Sequence, residues 1–377
     1  MTDLENVLKS FEVDQDWYGE KCEKYKKLFN KQELNSLLIN FTSDQKSNIK
    51  SLYDMKEQFE EPAKMLYEHL IQMTNVINTK SDQLPAIRAN LGVGFIPSVF
   101  GIEQRLFTDK MPWPVGHLTI EEIKALDPEE FSSEENIKDK GLVPYARKIY
   151  QYYQDKLGTN QFFYLPDTQG VLDIAHLLAG DQLFYMIYDD PALVHHLMEI
   201  SLQAYISISK YIKKIIGEDL SSGKHMGIAM YNGGVRYCMD TTVLLNSEQI
   251  IEFEIPYLRR ALAEFGGGWI HFCGYAPHLL DILVDVPELR GINPNYMVNQ
   301  EYDYERDVQQ ILSHNKFFLG APFKSSDQSI EEYFTKVLKP YSKKKGLIFT
   351  PRGERLDFSN PKNIINIWNE TQKKIIG

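Results

Sequence analysis

Cysteine is scarce in this chain: Cys22, Cys238 and Cys273 are the only three in 377 residues, and they lie far apart. That excludes a disulfide-stapled scaffold and makes a reducing compartment, the cytoplasm, the expected location. No apolar run approaches the roughly 20 residues needed to cross a bilayer. The first residues, Met1-Thr2-Asp3-Leu4-Glu5-Asn6, lack a basic stretch followed by an apolar core, so no secretory signal is read there. Positive charge is in deficit, with 41 Lys and Arg against 52 Asp and Glu and a net charge of −11. Nucleic acid and anionic membrane are disfavoured as partners on that balance. An anionic small molecule in a local basic pocket is not. There is no Gly/Ser linker, no low-complexity tract and no repeat. Arginine is absent before Arg88.

What is present is enough apolar residue, 43%, for a sizeable core. The length allows one large α/β domain or two ordinary ones. Residues 1–35 read as a helical N-terminal extension, acidic first and Lys-rich from Lys21 to Lys31, with a solvated surface. Beyond it, short apolar runs alternate with amphipathic helical stretches. The runs are Leu37–Phe41, Leu84–Asn90, Gln161–Leu165, His225–Met230, Gly268–Phe272, Leu289–Asn293, Lys316–Gly320 and Leu347–Thr350. Helix starts are marked at Asp189-Asp190-Pro191, Asn246-Ser247-Glu248 and Ser359-Asn360-Pro361.

Eight strands alternating with helices predict an α/β fold, a (β/α)8 TIM barrel, over an open doubly wound sheet. Residues 36–377 are expected to form that single barrel domain. Polar and Gly/Pro-rich signatures follow the later strands, where a barrel keeps its active site. Residues 91–160 are too long for a plain connection and predict a lid or one wall of a cleft.

The chemistry concentrates in Gly266-Gly267-Gly268-Trp269-Ile270-His271-Phe272-Cys273-Gly274. Residues two apart on a strand share a face, so His271 and Cys273 project together. An imidazole and a thiol suit a borderline-soft metal such as zinc. A third ligand is needed. Arg352 and Glu354 lie in a turn after the last strand, where Arg352 is expected to grip a carboxylate or phosphate. Tyr231 and Asn232 are expected to follow the fourth strand. Arg88 and Asn90 end the second, and Asp167 and Gln169 follow the third; these are substrate-positioning candidates. Cys238 reads as a packed small residue. The 22 Tyr and 20 Phe would suffice to line a large apolar cleft.

Several ordered pieces resemble the uroporphyrinogen decarboxylase superfamily, which includes the methylcobamide:coenzyme M methyltransferases. They are Thr168-Gln169-Gly170-Val171-Leu172-Asp173, Tyr188-Asp189-Asp190-Pro191, Leu245-Asn246-Ser247-Glu248 with Ile255-Pro256-Tyr257, Ile270-His271-Phe272-Cys273-Gly274 and Gly291-Ile292-Asn293. The resemblance spans roughly residues 85–355 and implies the same barrel. It puts an acidic, pocket-facing residue at Asp240. It departs from the decarboxylases in lacking an N-terminal arginine-rich loop. It departs from the methyltransferases in lacking a late Cys, for which Glu354 is the best-placed substitute, ahead of Asp240 and His225.

The resemblance implies methyl transfer to a thiol or related acceptor, with zinc on His271, Cys273 and Glu354, Asp240 and Arg352 as catalytic residues, and a corrinoid on a partner protein as methyl carrier. Metal-independent decarboxylation of a carboxylated ring, with Asp240 as the acid, and non-catalytic tetrapyrrole or corrinoid-protein binding stay open. So does the oligomeric state, a homodimer included.

Overall fold

The computed structural model describes residues 3–43, 49–296 and 301–377. Its centre is a six-stranded, wholly parallel sheet. The strand order is Leu38–Ile39, Leu347–Phe349, Phe317–Gly320, Leu289–Asn295, Gly268–Cys273 and Val235–Cys238. The first strand pairs with the last, and each later strand adds beside its predecessor. The strands are nearly continuous in buried residues, as expected of parallel strands covered on both faces.

The expected runs Leu84–Asn90 and Gln161–Leu165 meet in a single parallel bridge, Ile87 to Phe163. Asp82 N donates to Ile39 O at 2.9 Å, so this pair follows on from the first strand. Among the described residues no ladder joins it to Val235–Cys238. Contact there is by packing: Gly170 lies so close that an added Cβ would stand 2.0 Å from Cys238 O.

The fourth expected run needs correction. His225–Met230 does not enter the parallel sheet. Residues Ser222–His225 and Ile228–Tyr231 form an antiparallel hairpin, turned by Met226 and Gly227 at φ 46° and 84°. The parallel strand is the next segment, Val235–Cys238. A tight turn in the middle of an apolar run reverses the chain, and apolar periodicity alone does not show it.

Helices pack around the sheet, and the capping residues set their limits. Asp190 accepts from Leu193 N at 3.1 Å and Pro191 opens a helix that runs to Ile216, where Gly217 (φ 72°) ends it. Asn246 and Gln249 form a capping box before a π turn, Ile250–Glu254, and the helix Ile255–Ala263. Asn360 caps Pro361–Ile375.

The first residues are helical, Asp3–Ser10 and Gln15–Phe29, but the second helix is not a solvated extension. Lys21 and Lys24 reach Asp82 at 3.1 and 2.9 Å, and Asp82 also accepts from Ile39 N. Tyr25, Leu28 and Phe29 are buried in the same apolar cluster as the sheet. The lysine-rich face thus folds onto the sheet through one shared carboxylate. No helix among the described residues is long and apolar enough to cross a membrane.

Candidate functional site

Parallel register places the polar residues of three strands in rows. Cys238, His271 and Asn293 are successive Cα partners; Cys273 and Asn295 pair one step further along. In-register residues on neighbouring strands point to the same face, as do residues two apart. Two rows of polar side chains therefore stand at the C-terminal end of otherwise apolar strands.

The hydrogen bonds in these rows have a direction. Arg352 donates to Asn295 Oδ1. Asn295 Nδ2 then faces Cys273 Sγ at 3.3 Å, and Cys273 Sγ lies 3.4 Å from His271 Nε2. His271 Nδ1 lies 2.6 Å from Asn293 Oδ1, and Asn293 Nδ2 donates to Leu319 O at 2.7 Å. The two amides are oriented by their outer partners. Asn293 presents an oxygen, so His271 carries its proton on Nδ1 and turns the Nε2 lone pair toward the thiol.

Asp240 approaches from the loop after Val235–Cys238. Its Oδ1 accepts from Cys273 N at 2.7 Å, and its Oδ2 accepts from Cys238 Sγ at 3.1 Å. Buried Asp173 holds that loop by accepting from Asp240 N at 3.2 Å and Thr241 N at 2.7 Å. Cys238, Asp240 and His271 form a group whose donor atoms all lie within 4.8 Å of one another. A tetrahedral zinc spaces its ligand atoms roughly 3.3–3.8 Å apart, so small side-chain rotations would close the set. Thiol, carboxylate and imidazole, with an orienting amide behind the imidazole, fit that metal.

Burial, then the Arg236 cation, lowers the pKa of His271 and keeps the ring neutral. Burial raises both thiols, Cys238 strongly. The imidazole and both thiols therefore stand neutral, and a cation would have to displace thiol protons.

Beneath this group lies a cleft of about 490 Å³ lined by Trp113, His117, Gln169, His176, Arg236 and Asp240, among others. Residues 91–160 supply one of its walls through Trp113 and His117. Asp167 stands between two arginines, with Arg88 at 3.6 Å and Arg236 at 3.7 Å. Burial opposes its ionisation, but the two guanidiniums prevail and its carboxyl is lowered. Gln169 Nε2 donates to the same carboxylate at 2.6 Å, and Arg88 Nε donates to Asn90 Oδ1 at 3.1 Å. Arg236 Nε is buried with no partner among the described residues, and the acids Asp167, Asp173 and Asp240 line the same cleft.

The structure thus gathers Arg88, Asn90, Gln169, Asp240, His271, Cys273 and Arg352 at one end of the sheet. Glu354 is exposed and outside the donor group; its backbone N bonds Lys324 O at 3.0 Å. It follows the short strand Arg352–Gly353, which pairs with Phe323–Lys324 outside the six-stranded sheet.

Tyr231 and Asn232 sit at the opposite end, where the parallel strands begin. Asn232 Nδ2 donates to Asn30 Oδ1 at 2.7 Å, and Tyr231 packs against Phe29 with ring centroids 6.5 Å apart. The displaced fourth strand accounts for this. It also hid Arg236. Asn293 and Asn295 were not among the expected site residues; the signal that could have found them is their spacing of two in Gly291-Ile292-Asn293-Pro294-Asn295, polar positions repeating along an apolar strand.

No protein-family model matches the chain, and no curated protein does. Among solved structures it is similar to a methyltransferase from Methanosarcina mazei, with a TM-score of 0.61 and 13% sequence identity. The match covers 93% of this chain and 98% of that one. The likeness is one of fold over nearly the whole of both chains.

Proposed function

We propose that the chain is a cytoplasmic (β/α)8-barrel enzyme that moves a methyl group onto a thiol or related acceptor. The single observation that carries this reading is the donor group Cys238–Asp240–His271, with Cys273 3.4 Å from the same imidazole nitrogen. The fold likeness to a methyltransferase supports it, as does the sequence resemblance to the methylcobamide branch of the uroporphyrinogen decarboxylase superfamily. The methyl donor in this reading is a corrinoid on a partner protein.

Cys238, Asp240 and His271 would hold zinc. When bound, the metal would supply a Lewis acid that keeps an acceptor thiol as its thiolate, the nucleophilic form. The chain's own residues do the rest. His271 offers a neutral Nε2 because Asn293 fixes its tautomer. Asp240 is held in place by Cys273 N and by the loop that Asp173 anchors. Cys273, with Asn295 donating to its sulfur, is the second thiol of the site. Arg88 and Arg236 bracket Asp167 in the cleft wall, where Arg236 is the lining cation. Arg352 orients Asn295 and thereby Cys273.

Zinc titration of metal-stripped protein tests the proposal. One equivalent is expected to bind at micromolar zinc, with binding lost in Cys238→Ser and His271→Ala and retained in Glu354→Gln. Absence of stoichiometric binding, together with decarboxylation of a carboxylated ring by metal-free protein, would replace this reading with the metal-independent one.

A further inference from the structure

At the end of the sheet where the strands begin, remote from Cys238 and His271, a second cleft encloses about 320 Å³. It lies between the end of the helix Gln15–Phe29, the turn after the helix Tyr304–Ser313, and the segment Pro340–Gly346. Leu28, Phe29 and Phe317 give it an apolar floor. Lys31, Arg290, Lys316, Lys343 and Lys345 line it, and no carboxylate does. Five cations without an acid run against the average of a chain with net charge −11.

Lys316 is the informative member. It is 7% exposed, yet its ammonium donates no hydrogen bond and forms no ion pair among the described residues. Burial lowers its pKa, and the neighbouring Lys31 and Arg290 cations lower it further. Asp285 and Glu288 act the other way, but they are engaged elsewhere, Asp285 with His314 at 3.5 Å and Glu288 with Arg259 at 3.1 Å. Arg290 cannot swing away, because its three nitrogens are bonded to Asn232 O, Pro287 O and Gly266 O at 2.5, 3.0 and 2.8 Å.

A bland role would be to complement the negative ends of nearby helices. Lysines doing that donate to the terminal carbonyls, and these do not. The helix ends are closed by backbone instead: Asn30 N to Lys26 O at 3.0 Å, and Lys316 N to Ile311 O at 3.2 Å. A partly desolvated ammonium among like charges is disfavoured unless a counter-charge arrives.

We propose that this cleft binds a small organic anion, its anionic head on Lys316 and its flat apolar body against Phe29 and Phe317. The volume is at the lower end of small-molecule sites, which suits a one-ring compound with a phosphate or carboxylate. The site is independent of the metal group at the other end of the sheet.

Calorimetric titration with phenyl phosphate and with benzoate tests it, with inorganic phosphate as the control lacking an apolar body. Saturable one-to-one binding is expected for at least one aromatic anion, tighter than for inorganic phosphate; which one binds identifies the head group. Lys316→Met should weaken binding by about tenfold or more, the loss of one charge-assisted contact. Should that variant fail to fold, the surface variant Lys31→Gln/Lys345→Gln serves, with a weakening of severalfold expected. His271→Ala should bind as the unaltered protein does. No saturable binding at about 10 mM of either aromatic anion would overturn the proposal. So would undiminished binding in a folded Lys316 variant or in the Lys31/Lys345 variant, or loss of binding in His271→Ala.

Discussion

The Nδ1 atom of His271 lies 2.6 Å from Oδ1 of Asn293, its in-register partner on the next strand. Because Asn293 spends its amide nitrogen on Leu319 O, the oxygen has to face the imidazole. This one bond decides which nitrogen of His271 is protonated and which is free for a ligand. Asn293 thus plays the orienting part that carbonyls and carboxylates play behind metal-bound histidines elsewhere.

Asn293→Ala is therefore expected to leave the fold intact and weaken zinc binding by about 10- to 100-fold, the usual cost of losing such a partner. Competition against a chelator of known affinity measures it. An unchanged affinity would show that His271 is oriented by something else.

Glu254 predicts a pH dependence of stability. It is fully buried in the π turn, and its Oε1 accepts from Tyr237 OH at 2.8 Å. Burial, assisted by the charge of Asp173, raises its pKa from 4.5 to about 8. The folded protein keeps this proton in a range where the unfolded chain has lost it. Its contribution is fully present below about 4.5 and is lost as pH rises to about 8, at up to about 1.4 kcal/mol per pH unit. Denaturant melts between these limits should show that falling slope, and Glu254→Gln should flatten it. A wild-type slope unaltered by the substitution would remove Glu254 as the source.

Gly170 predicts a packing limit on the site. A Cβ there would stand 2.0 Å from Cys238 O and 2.6 Å from the Tyr237 ring. One contact is to backbone, which cannot rotate aside. Gly170→Ala should lower stability by about 3 kcal/mol and, by shifting Cys238, weaken zinc binding as well. Urea melts and zinc titration read the two effects separately. Full stability in this variant would mean that the Gly170 loop and the Val235–Cys238 strand move apart freely.

Much of the site was legible because strands obey a two-residue period. His271 and Cys273 could be placed together from spacing alone, Arg352 from its position after the last strand, and Asp240 from the family resemblance. The third ligand was assigned to Glu354, and Cys238 was read as a packed small residue. Which of them meets His271 depends on which strand neighbours Gly268–Cys273, and that is a matter of strand order. Tyr231 and Asn232 were placed by taking His225–Met230 as the parallel strand. The turn at Met226-Gly227 sends that segment back on itself, and the two residues finish at the far end of the sheet.

The sequence by itself determined the local elements: the caps at Asp190, Asn246 and Asn360, the alternation of apolar runs with helices, and the pairing of His271 with Cys273 on one face. These depend on contacts between residues close in the chain. Tertiary structure alone decided the strand register that lines up Cys238, His271 and Asn293. It alone placed Lys21 and Lys24 on Asp82, and gathered Lys31, Arg290, Lys316, Lys343 and Lys345 around one cleft. Those neighbours are far apart in sequence and are joined only by the closing of long loops, which no local pattern records.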